Sequence, residues 1–167
     1  MVAELTNLES KLGEVVGLAM AAQAATREVA KLARKEKNAG LVELLKRMQE
    51  EAKDAEQRGK QAAESFEGKK SAILAEAREV KAKGAQMLST YLDAESDALD
   101  GFEFLTMAEA GEVGHWEILG TINKRARNGR VRELVSWGLP IQKRHLKDAR
   151  AASLQLAAEE DPDGSAS

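Results

Sequence analysis

Apolar residues recur along the chain in steps of three and four, the spacing that lines one face of an α-helix. The first line runs Leu5, Leu8, Leu12, Val15, Leu18, Ala22, Val29, Leu32. It opens at Thr6-Asn7-Leu8-Glu9, where a hydroxyl and an acid stand at capping-box spacing. It is expected to end at Asn38-Ala39-Gly40, because Asn and Gly accept positive φ. The second line carries Leu41, Leu44, Leu45, Met48, Ala52, Ala55, Ala62 and Phe66, and the short turn before it predicts an antiparallel pair.

Gly68-Lys69-Lys70 interrupts the pattern, and a thinner apolar stripe follows at Ile73, Leu74, Ala77, Val80, Met87 and Leu88. An Ala- and Lys-rich helix with so narrow a stripe is expected on the outside, as a connection. Asp93, Asp97, Asp100 and Gly101 mark its end or a bend. The next helix is predicted from about Asp97 to Arg127, with Leu105, Ala108, Trp116, Leu119 and Ile122 along one side, and Asn128-Gly129 closes it. The last starts near Arg130 and holds Val131, Leu134, Val135, Leu139, Ala149, Ala152 and Leu156, with Pro140 expected to kink it. Residues 1–158 then form one helical domain and residues 159–167 a disordered acidic tail. Two helices, a crossover and two more helices predict an all-α, ferritin-like four-helix bundle whose long crossover contains an additional helix.

Composition agrees. Of 167 residues, 43% are hydrophobic and 32% charged, which excludes a disordered chain, and 4% aromatics with two prolines leave little for a β-sandwich. Twenty-five Lys and Arg against 28 Asp and Glu give a net charge of −3, so no basic field argues for nucleic acid. Lys124, Arg125, Arg127, Arg130 and Arg132 cluster at the Asn128-Gly129 turn, but cations at a helix C-terminus complement its dipole and need no phosphate partner. The absence of Cys excludes disulfides and thiol chemistry. Met1-Val2-Ala3-Glu4-Leu5 is acidic at once and no export signal follows, so a cytoplasmic protein with no membrane segment is expected.

Bundle centres hold metals when carboxylates and imidazoles project inward at i, i+3 spacing. Helix two offers Glu51, followed by Asp54 where a His would be needed. The helix after the crossover offers Glu112-Val113-Gly114-His115, a literal Glu-x-x-His, then Glu117. The last helix offers Gln142-Lys143-Arg144-His145, with neutral Gln in place of Glu. Helix one has Ala22 and Thr26 on its central line, with Glu14 two turns earlier and Glu28 beyond. These are fragments of a di-iron constellation. Alternatively, His115 packs beside Trp116, His145 pairs with Asp148, and Gln142 bonds to Glu51 or Glu117.

Arg27-Glu28-Val29-Ala30-Lys31-Leu32-Ala33, Glu50-Glu51, Gly68-Lys69-Lys70 and His115-Trp116-Glu117-Ile118 occur in that order. Over about residues 8–155 this set resembles the YciE/YciF-type, rubrerythrin-like ferritin-like family, a domain of unknown function linked to bacterial stress. The resemblance implies a homodimer and a carboxylate-rich dinuclear site, and it matches Glu51 and Glu117 to family acids. The chain departs from the pattern at Ala22, at Gly114, and at Gln142 and His145. Periodicity turns Glu112 inward whereas the resemblance favours Glu117, and about 140° separates the two on a helix.

Three expectations follow. The first is a bundle with a degenerate di-metal site that serves as a non-enzymatic stress-related or interaction module. The second is a residual iron or manganese protein handling oxygen or peroxide, with Glu51, Glu117 and His145 as ligands assisted by Glu112 or His115. The third is a structural scaffold whose buried polar groups set the packing register.

Overall fold

The computed structural model describes residues 3–166; Met1 and Val2 at the head of the domain and Ser167 at the end of the tail lie outside the described residues. The chain forms five helices, α1 (Asn7–Lys35), α2 (Ala39–Ala63), α3 (Lys70–Tyr91), α4 (Ala98–Ala126) and α5 (Gly129–Ala158), and no strand among the described residues. The protein is all-α.

Four of the five starts have a local cause in a side-chain cap, while α3 begins after Lys69 without one. Thr6 and Glu9 form the capping box that their spacing predicts, the Thr6 hydroxyl accepting from the Glu9 amide and the Glu9 carboxylate from the Thr6 amide. Asp97 and Asp100 do the same for α4. The two hairpin turns share one device. Asn38 does not end α1; its side chain accepts from Leu41 N and caps α2, while Lys37 takes the left-handed conformation at φ 57°. In the same way Arg127 stands at φ 57° and Asn128 caps α5 through Val131 N. Gly40 and Gly129 lie inside their helices. A side chain in this conformation costs about 1–2 kcal/mol, part of which glycine's own chain entropy cancels. Lys37→Gly and Arg127→Gly should each therefore raise the urea midpoint, by roughly 0.5–1 kcal/mol of stability.

The order of helices follows from their contacts. α1 pairs with α2 and α4 with α5, while α1 also packs on α4 and α2 on α5, so the four surround a common interior. α3 rests chiefly on α1 and buries only Ala72, Ile73 and Ala77, the outer connection that its thin stripe predicts. At 22 residues it spans about 33 Å, enough to carry the chain from one end of the molecule to the other. Gly13 and Gly17 permit its approach: a Cβ on Gly17 would collide with the Ala77 carbonyl oxygen. Pro140 sits within α5, whose helical run continues through it; its ring leaves the Ser136 carbonyl without an amide partner.

The interior is not one apolar mass. One cluster gathers Val29, Leu45, Met48, Phe102, Leu105 and Ala149; the other gathers Leu12, Val15, Val16, Ile73, Trp116, Leu119 and Val131. On α4 the residues between the clusters include Glu109 and Glu112, and on α5 they include Gln142 and His145, all four buried. A polar layer thus divides the core. No helix among the described residues is long and apolar enough to cross a membrane.

Candidate functional site

The layer is built from spacing. Leu105, Glu109, Glu112, Trp116, Leu119 and Asn123 are all buried on α4 and step by four, three, four, three and four, so the two acids occupy the line that otherwise carries the core. On α5, Gln142 and His145 are likewise one turn apart on the buried face. α2 contributes Glu51 from the side. Gly101 against Val29 and His115 against Glu14 set the register of α1 on α4, which brings Ala19 and Ala22 to the level of the two acids. Helix one supplies no acid there.

The Gln142 amide donates to Glu109 Oε2, which also lies 3.7 Å from His145 Nδ1. On the other side of the imidazole, His145 Nε2 is 3.5 Å from Glu51 Oε2 and has no hydrogen-bond partner. Glu51 is already engaged, by Arg144 through Oε2 and by Arg47 at 3.6 Å through Oε1. Arg47 reaches Asp148 as well, at 3.0 Å.

Burial decides the charges. Removal from water pushes the Glu109 carboxyl up to about 8, against which the Gln142 hydrogen bond pulls. Glu112 is raised well above the usual carboxylate range by burial, and further by its neighbour Glu109. His145 is lowered to about 4, first by burial and then by the Arg144 guanidinium. Its approach to Glu51 does not offset this, because two guanidiniums already neutralise that carboxylate. At neutral pH burial thus keeps the Glu109 carboxyl protonated and the His145 imidazole neutral, and it drives Glu112 toward its protonated form in the same way.

Of the six residues singled out in the sequence, Glu112, Gln142 and His145 are buried in this layer and Glu51 lies at its edge. His115 points elsewhere: its Nδ1 is 3.0 Å from Glu14 Oε2 and 3.3 Å from Lys11 Nζ, on the α1 side. Glu117 is 51% exposed and pairs with Lys143 at 3.1 Å, so of the two alternatives for α4 it is Glu112 that faces inward. Gln142 bonds to Glu109, not to Glu51 or Glu117. Glu109 is absent from the residues singled out in the sequence; the one signal for it is its place one turn before Glu112 on the same face. Among the described residues no three His, Cys, Asp or Glu are grouped so as to hold a metal ion. Comparison with protein-family models, with curated proteins and with solved structures returns no match.

Proposed function

We propose that this protein is a ferritin-like four-helix bundle of the YciE/YciF type with a degenerate di-metal centre, serving as a non-enzymatic stress-related or interaction module. Support for the bundle comes from two antiparallel hairpins joined by an outer helix that runs the length of the molecule. The reading is carried by the makeup of the polar layer. A dinuclear centre of this class draws a Glu from each of two helices and Glu-x-x-His from the other two. Here α1 offers alanine, Gln142 stands in a ligand position without charge, and Glu51 is held by guanidiniums. That donor set does not fit two metal ions, which need anionic ligands for charge compensation.

The Gln142–Glu109 hydrogen bond instead fixes which faces of α4 and α5 meet, since turning either helix would strand one of the two without a partner. The link to stress rests on the family resemblance. One observation favours a second reading: the free Nε2 of His145 beside Glu51 could share a single iron or manganese ion with that carboxylate. Metal analysis after expression in iron- and manganese-supplemented medium separates the two. The degenerate centre predicts a content far below stoichiometric and unchanged in His145→Ala; a stoichiometric ion lost in that variant would establish the second reading and sink the first.

A further inference from the structure

The five cations gathered in sequence around Asn128 separate in three dimensions. Arg125 lines a cleft with Lys11 and Glu14, and Arg130 one with Arg58 and Gln61. Lys124, Arg127 and Arg132 stay together, at the turn end of a groove of about 730 Å³ between α4 and α5. None of these three forms an ion pair among the described residues. The one acid in the groove, Glu117, is occupied by Lys143. Cations that merely complement a helix dipole have no reason to line the same concavity.

The floor has a different character. Gly120, Val135 and Leu139 form it, and a Cβ on Gly120 would come within 3.1 Å of Val135 Cγ1, so the two helices meet closely beneath the groove. Because α4 and α5 run antiparallel, the cations stand at one end, and the apolar floor of Gly120, Val135 and Leu139 lies beyond them, edged by Thr121 and Ser136 and closed by Glu117. From Lys124 back to Glu117 is seven residues, about 10 Å of helix.

We propose that this groove binds an anionic amphiphile. Lys124, Arg127 and Arg132 hold its carboxylate or phosphate head, and Gly120, Val135 and Leu139 take an apolar body about 10 Å long. Three exposed cations alone would hold a small anion only weakly, since water screens them. The apolar floor supplies the remaining affinity and favours an amphiphile over a polyanion such as nucleic acid, for which stacking aromatics are missing from the groove.

Amide chemical shifts of the full chain, followed during titration with octanoate and with octyl phosphate, test this. Both probes should move the Gly120 and Val135 amides, and the tighter one identifies the preferred head. Lys124→Glu combined with Arg132→Glu should weaken binding about tenfold or more, whereas Arg150→Glu, an exposed site elsewhere on α5, should not. The proposal is overturned if inorganic phosphate or octanol binds as well as the amphiphiles, or if the double reversal leaves affinity intact. It is equally overturned if the same amides shift with protein concentration alone, which would make a second copy of the chain the occupant.

Discussion

Urea midpoints will fall as the pH is raised from about 5 to about 8.5, most steeply above about pH 6.5. The cause is the polar layer. Glu109 moves from its ordinary 4.5 to about 8 on folding, and Glu112 also rises well above 4.5. Below 4.5 both carboxyls hold their protons whether the chain is folded or not, and their contribution to stability is fully present. Above it the unfolded chain ionises while the folded one does not, so that contribution is lost as the pH climbs through the folded values. His145 works in the opposite sense. Its folded value is lowered from 6.5 to about 4, so its contribution is complete above 6.5 and lost as the pH falls toward 4. Between 4.5 and 6.5 the imidazole offsets one of the two carboxyls; above 6.5 nothing does.

The loss should amount to a few kcal/mol in all, since each tenfold change in proton affinity on folding is worth about 1.4 kcal/mol. Glu109→Gln keeps an oxygen to accept from Gln142 and cannot ionise; Glu112→Gln removes the second charge. The double variant should be more stable than the parent at pH 8, lose the alkaline slope, and unmask the His145 term as a decline when the pH is lowered from 6.5 toward 4, a range in which the parent still gains stability. A parent midpoint that climbs between pH 6.5 and 8 would refute the protonated layer.

Gly17→Leu is expected to destabilise the protein by about 2–4 kcal/mol and to expose α3 to proteolysis. Even a Cβ at this position would run into the Ala77 carbonyl oxygen and sit 2.7 Å from Val80 Cβ. The obstruction is helix backbone, which cannot rotate aside, so α3 must move as a body. Since α3 buries so few of its own side chains, little else resists that movement. Limited trypsin digestion should cut first at Lys81 or Lys83 in the variant. Gly111→Ala provides the contrast: its Cβ would meet nothing within 4 Å, and the better helix propensity of Ala should add about 0.5–1 kcal/mol. If the two variants melt alike, the close packing of α3 on α1 is wrong.

A helix start is legible where the cap is local chemistry, as Thr6 with Glu9 announces α1 within four residues; the start near Asp97 is also placed, but its capping box with Asp100 reads in the sequence only as a break in the pattern. The outer position of α3 is legible in its thin stripe. The turns fall one residue away from where the sequence places them, since Asn serves both as a left-handed cap and as an N-cap, and propensity does not say which. In both hairpins it caps the following helix and a basic residue bears the positive φ. At the site, periodicity turns Glu112 inward correctly. Glu109 extends the same line yet escapes a reading by apolar pattern, because an acid at a core position looks like a break in it. His115 is adjacent to Trp116, and the bulkier side chain takes the interior while the imidazole is left to Glu14 and Lys11.

Splitting the interior by a seam of polar groups gives the molecule two compartments on one frame. The end around Phe102 and Leu45 and the end around Trp116 and Leu12 share helices but not a continuous greasy contact. Each end therefore rests on its own set of apolar neighbours, so a cavity cut at Phe102 should be felt first around Leu45 and one cut at Trp116 first around Leu12.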